Sequence, residues 1–303
     1  MTDRTKAHIL MIILVITWGF DYVPAKWALY IMSPMALLLL KYCIGLIVGL
    51  ILKLVTKNRN LIRLKDLPLF VLCSIFGEVL YFYCEYSAMN YLPVGLLTII
   101  LGFVPMVSIL IERIVYHRLP NRVILIGIAF CIIGIILVIG GDLRILLEGR
   151  IWGYVLAFLA VFSWNAYNFI TASLQQYDSL TLSCTQMVCT ILLCAPLAIH
   201  SGLPALSEYT PAILGGLLWM GLFDAGLGFL IMVYGLQKLG PTTSAIYSDF
   251  LPVSTAFFGA VFLHESISWL QIIGGIIVIA SGYVVIREKG RLDEERLALT
   301  PKE

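Results

Sequence analysis

Two stretches decide the fold: Tyr86-Ser87-Ala88-Met89-Asn90-Tyr91-Leu92-Pro93 and, about half a chain later, Tyr234-Gly235-Leu236-Gln237-Lys238-Leu239-Gly240-Pro241. The first run continues to Pro105 and Gly127, the second to Pro252 and Gly274. The four offsets are 148, 148, 147 and 147 residues, so one residue is lost between the prolines and the register otherwise holds. Both runs lie in apolar segments long enough to cross a bilayer. A 303-residue membrane chain built as two related halves has the architecture of a secondary carrier, whose site lies between the repeats near the midplane.

Composition points the same way. Hydrophobic residues make up 60% of the chain and charged residues 13%, with a mean hydropathy of +0.97. A soluble domain carries about 25% charged residues, so most of this chain must face lipid or other helices. The net charge of +2, without a basic stretch interleaved with aromatics, argues against a nucleic-acid partner. The seven cysteines all fall in apolar segments and form no C-x-x-C pair, which reads as buried thiols packing as small hydrophobes. Arg4 and Lys6 precede an apolar run from Ile9 to Trp27 that lacks a small-residue cleavage site, so it reads as a retained first span. There is no phosphate-binding glycine loop, no Ser-His pair, and no second histidine at metal-ligand spacing from His264-Glu265. The reading is a non-enzyme with neither cofactor nor metal.

A transmembrane helix needs about 20 mainly apolar residues. The pattern predicts ten, over 8–27, 34–54, 67–89, 93–115, 122–140, 151–172, 180–200, 211–236, 241–263 and 269–286. Lys and Arg favour cytoplasmic loops. With the N-terminus inside, 16 of the 20 basic residues fall on the inner side, among them Lys53, Lys57, Arg59, Arg63 and Lys65 of one loop, Arg113, Arg118, Arg122, Lys238 and the tail from Arg287 to Lys302. Only Arg144 and Arg150 fall in an outer loop, each near an acid, Asp142 or Glu148. Five spans per half is an odd number, so the second half crosses upside down. The charges agree: loop 53–66 carries five basic residues, and its counterpart 201–210, placed outside, has none. The expectation is an all-α, multi-pass plasma-membrane protein with two inverted five-helix repeats, 1–143 and 144–303, both termini cytoplasmic and a short tail at 287–303.

The residues at these positions resemble the EamA-like branch of the drug/metabolite transporter superfamily. The resemblance rests on Thr17-Trp18-Gly19-Phe20, Lys41-Tyr42, Tyr86-Ser87-Ala88-Met89 leading to Pro93, and Pro105. In the second half it rests on Ser163-Trp164, Tyr234-Gly235-Leu236, Pro252, and His264-Glu265 ahead of Gly274-Gly275. It covers nearly the whole chain and implies a ten-helix carrier that moves small metabolites, often outward, with amino acids and related compounds among the cargoes of similar proteins. Two positions depart from the family. Lys41 stands where an Arg is usual, which keeps the charge but loses the planar two-pronged donor. Arg118 matches the position that Glu265 occupies in the second half. A base on the inner side and an acid on the outer side agree with an inverted pair.

Ionisable residues inside spans are costly and normally face a cavity or a partner. Here they are Asp21, Lys26, Lys41, Glu78, Glu85, Asp224 and Asp249, an acidic balance. Lys26, near a span end, reads as snorkelling. Glu78 and Glu85 are two helical turns apart, with Tyr81 and Phe82 between them, and so are expected on one face. Acids interleaved with aromatics suit either an amine, held by charge and cation–π contact, or a coupling proton. Trp18, Asp21, Tyr22 and Ala25 form one stripe, which an offset of 146 maps onto Trp164, Tyr167, Asn168 and Thr171. Two such stripes are what a site between repeats requires. Lys41 is expected either to meet a substrate carboxylate or to neutralise one of the acids. Asp224, on a face rich in glycine, and Asp249, just before Pro252, complete the candidates, and Pro105 and Pro252 are expected to kink their spans. The expected partners are a small-molecule substrate, a coupling proton and membrane lipid. The leading function is export of an amine-bearing metabolite by alternating access. Export of lipophilic or quaternary cations is the alternative, and a membrane-embedded enzyme or sensor the reading from another class.

Overall fold

The computed structural model describes residues 3–116, 120–138, 151–264 and 267–299, and all their regular structure is helical. Arg118, Asp142, Arg144, Glu148, Arg150, Glu265 and Lys302 lie outside the described residues, as does the expected boundary between the halves. The helices are α1 (Asp3–Ala28), α2 (Pro34–Val55), α3 (Leu64–Ala88), α4 (Val94–Leu101), α5 (Val104–Tyr116) and α6 (Arg122–Val138). Then come α7 (Ile151–Ala172), α8 (Ser179–Ser201), α9 (Pro211–Leu239), α10 (Pro241–Tyr247), α11 (Leu251–Leu263) and α12 (Trp269–Leu299). Seven of them, α1, α2, α3, α7, α8, α9 and α12, are long and apolar enough to cross a membrane.

Of the three remaining expected spans, the fifth is the shorter plain helix α6, and the other two depart from a plain helix for local reasons. The fourth breaks at Gly102-Phe103 into α4 and α5, and the ninth breaks into α10 and α11 around a 3-10 turn at Ser248–Phe250. Pro105 and Pro252 therefore do not kink continuous helices as expected. Each sits in the first turn of a helix that has just restarted, where its missing N–H has no intrahelical partner anyway. The last helix runs on to Leu299, past the expected end at 286. Beyond Val285, Lys289 pairs with Glu112 at 2.5 Å, and Arg291 with Glu288 at 2.6 Å.

Two further departures matter for the site. Helices α3 and α9 each widen into a π-helical stretch, Ser74–Leu80 and Met220–Gly228. Such stretches are frequent at functional sites. The offset of 146 that aligns Trp18 with Trp164 also aligns Glu78 with Asp224, and each acid lies inside one of the two π stretches.

The halves are interleaved rather than side by side. Helix α1 packs against α9 and α11, α2 against α8 and the π stretch of α9, and α3 against α7, whereas α6 and α12 pack chiefly on each other. Glycine permits the closest of these crossings. A Cβ added at Gly45 would sit 2.8 Å from Ala225 Cβ, and one at Gly221 would sit 2.4 Å from Ile44 Cβ. Small residues let α2 and α9 backbones approach, which brings Lys41 beside Asp224.

At one end of the bundle the connections clasp each other. Asp178 caps α8 by accepting from the Thr181 amide at 2.9 Å, and it also accepts from Asn58 Nδ2 at 2.8 Å and Asn60 Nδ2 at 3.0 Å. Tyr177 donates its hydroxyl to Asp66 and accepts from the Arg63 amide at 3.1 Å, while Gln237 at the end of α9 donates to the Tyr177 carbonyl at 2.8 Å. Partial burial pushes the Asp178 carboxyl up, but its hydrogen bonds outweigh that and hold it below the usual carboxylate value. A carboxylate depressed on folding stabilises above its unfolded value, so the clasp is expected to weaken only as pH falls below about 4. Asp178→Ala removes a helix cap worth about 1 kcal/mol as well as both asparagine contacts, so opening of this end is expected to rise about fivefold. The measurement is maleimide labelling of Cys184, a buried α8 thiol behind the clasp. Labelling at the wild-type rate would mean that these contacts do not hold the end shut.

Candidate functional site

The site forms where the middle of α1 meets α3, α7 and α9. A partly open cavity is lined there by Trp18, Asp21, Tyr22 and Ala25 of α1, by Tyr81, Phe82, Glu85 and Tyr86 at the end of α3, and by Met89 just past it. Trp164, Asp224 and Leu251 complete the wall. Three of the twelve lining residues are carboxylic acids and none carries a positive charge. Five of the eight stripe positions of α1 and α7, Trp18, Asp21, Tyr22, Ala25 and Trp164, line this space, and the Tyr167 ring stands directly behind Trp164.

Glu85 is the most organised acid. The hydroxyls of Tyr22 and Tyr81 both donate to its Oε1, at 2.5 and 2.7 Å, so two helices aim it. Its Oε2 takes no part in that pair of bonds. Around it the rings form one connected wall. Trp18 meets Trp164 edge-on with centroids 5.7 Å apart, and Tyr81 lies 4.7 Å from Trp164. Behind these stands Phe229, whose ring lies within 6.2 Å of Trp18, Tyr42, Phe82, Trp164 and Tyr167. Aromatic faces beside a carboxylate are suited to an organic cation.

Lys41 stands apart from the cavity. Its ammonium is wholly buried and ion-paired with Asp224, donates to Tyr86 Oη at 2.9 Å, and lies 3.6 Å from the centre of the Phe82 ring. It is absent from the cavity lining. Of the two roles expected for Lys41, its position serves the neutralising one, because the nearest acid and the Phe82 ring take up its charge before a ligand reaches it.

The shared face expected for Glu78 and Glu85 does not form around the cavity. Glu85 lines it and Glu78 does not. The π stretch turns more widely than an α-helix, so residues before and after it no longer keep the α spacing that put the two acids together. Tyr167 and Asn168 are fully buried one layer behind Trp164, whose ring lies 5.0 Å from that of Tyr167. Asp249 falls in the 3-10 turn between α10 and α11, and its side chain lies outside the described ones. Sequence reasoning missed Tyr86 and Phe229. Tyr86 was legible as the first residue of the repeated register; Phe229 carried no polar flag that singles it out from other apolar residues.

Buried acids and a polar-aromatic cavity within helices of membrane-spanning length define a multi-pass membrane transport protein. The chain belongs to the EamA-like transporter family, which it matches twice, over residues 5–140 and again over 151–287. It is 21% identical, over 94% of its length and 100% of the other chain, to an uncharacterized transporter of Archaeoglobus fulgidus. It is 23% identical, over 92% of its length and 94% of the other chain, to a probable amino-acid metabolite efflux pump of Salmonella typhimurium. A solved crystal structure shares the fold with a TM-score of 0.69 at 16% identity, covering 92% of this chain and 98% of the other.

Proposed function

We propose that this protein is a secondary carrier in the plasma membrane that exports a small amine-bearing metabolite, an amino acid or a related compound, by alternating access. The observation that carries this reading is the cavity itself: Glu85, Asp21 and Asp224 face it with Trp18, Tyr81 and Trp164, and no cation lines it. An ammonium entering there meets carboxylate and ring faces together. The two family matches support a split into repeats 1–143 and 144–303, and the name of the Salmonella relative supports an amino-acid cargo. The excess of Lys and Arg on one side supports an orientation with both termini in the cytoplasm. In that orientation the lining residues run from Trp18 in mid-membrane to Ala25 and Met89 near the outer face, and the Asp178 clasp closes the cytoplasmic end.

The lack of a lining cation also favours a second reading, in which quaternary or lipophilic cations are the cargo. One experiment separates them. Purified protein in proteoliposomes is loaded with a panel of labelled amino acids, their decarboxylated amines and a quaternary ammonium. Release of the amino acids above empty liposomes supports the lead reading. Movement of the amines and quaternary ion alone supports the second, and movement of none of them overturns both.

A further inference from the structure

Glu78 is not explained by the cavity. It is wholly buried in the π stretch of α3, and among the described residues neither carboxyl oxygen has a hydrogen-bond partner. The Ser74 hydroxyl, one turn earlier, is committed to the Gln186 carbonyl at 2.9 Å. Its counterpart under the 146-residue offset, Asp224, sits in the other π stretch and is ion-paired with Lys41. Applied to Lys41, the same offset reaches Met187 on α8, and the neighbouring polar side chains there, Gln186 and Thr190, are neutral. One half thus holds a neutralised acid, and the other half holds an acid with no cation of its own.

The groups facing Glu78 come from five helices. Lys41 and Tyr42 of α2, Tyr167 of α7, Cys189 and Cys194 of α8, and Asp224 of α9 lie within electrostatic reach, with Cys73 on its own helix. Lys41 is the only cation among them, and it is taken by Asp224. An isolated ionised carboxylate in such surroundings is very expensive and takes up a proton instead. A hard metal cation is a poor alternative, because it needs several oxygen ligands and the neighbours are mostly rings and thiols.

We propose that Glu78 is a proton-binding site, separate from the substrate cavity, that is loaded and emptied once in each transport cycle. The proposal rests on the carrier reading above. Glu85 holds the substrate amine and Glu78 holds the exchanged proton, and α3 carries both, so that the charge state of Glu78 governs how its π stretch packs between α7 and α8.

Two measurements test it. The first needs no substrate: wild-type protein in liposomes is treated with dicyclohexylcarbodiimide, which adds to protonated buried carboxyls, and labelled peptides are mapped by mass spectrometry across a pH series. Labelling at Glu78 that falls as pH rises is expected; no labelling at any pH, or labelling that pH does not alter, overturns the site. The second uses whichever amino compound the panel shows to move. With one proton exchanged per substrate, a gradient of about one pH unit sustains about tenfold accumulation. Glu78→Gln is expected to abolish that accumulation while still exchanging labelled for unlabelled compound without a gradient. Accumulation at the wild-type level, or loss of exchange in a variant that is folded by its elution profile, overturns the proposal. If no amino compound moves in the wild type, the cargo reading fails while the carbodiimide result still decides Glu78.

Discussion

Lys41→Met is expected to destabilise the protein by about 3–5 kcal/mol, because it strands Asp224 as a buried charge without its ammonium. Both groups are almost completely inaccessible, at 0% and 2% exposure, so water screens little of the loss. The substitution also removes a donor from Tyr86 and the ammonium from above Phe82. A double variant, Lys41→Met with Asp224→Leu, is expected to recover most of the stability, since replacing a whole buried pair with apolar groups is often neutral. It is not expected to recover transport, because Asp224 lines the cavity. Six of the seven cysteines are buried, so a thiol-reactive fluorophore reports unfolding of the detergent-solubilised protein directly. A single variant as stable as wild type would mean that the pair is not an ion pair in the membrane. Equal instability of single and double variants would place the loss in packing instead.

Glu85→Gln is the second large effect, and it acts on transport rather than on folding. Glutamine keeps the shape and still accepts from the Tyr22 and Tyr81 hydroxyls, so the α1–α3 contact persists. What disappears is the charge opposite a substrate ammonium. A hydrogen bond to a charged group contributes about 1.5–3 kcal/mol, so the half-saturating concentration of an amine is expected to rise roughly ten- to hundredfold. Trp18→Leu removes a ring from the same wall and is expected to do less, in keeping with about 0.5–2 kcal/mol for a cation–π contact. Concentration dependence of uptake into proteoliposomes measures both. Unchanged half-saturation in Glu85→Gln would remove Glu85 from the substrate site and leave it a structural anchor for two tyrosines.

The helical segments were legible because bilayer thickness forces long apolar runs, and starts such as Pro34, Ile151 and Pro211 fall within a residue of where the composition changes. The acids and the Trp18 and Trp164 stripes were legible because a charge or an indole in such a run calls for an explanation. Three things were not. The union of Lys41 with Asp224 spans 183 residues, and no local pattern encodes a contact at that distance. Phe229 became the ring on which five others pack only through the meeting of helices from both halves. The π stretches leave the hydrophobic run unbroken, so a reading at helical spacing passes over them and misplaces Glu78.

Those two wide turns also differ in size. From Glu78 to Tyr86 the chain advances 8 residues, and from Asp224 to Tyr234 it advances 10. The π stretches are 7 and 9 residues long, so the surplus of two is absorbed inside the turn. In an ordinary α-helix each added residue would rotate everything beyond it by about 100° and turn Tyr234 and its neighbours to another face. Here the two extra residues fall inside the π stretch, and the regular α turns that follow it up to each tyrosine, 81–86 and 229–234, are the same length in both helices.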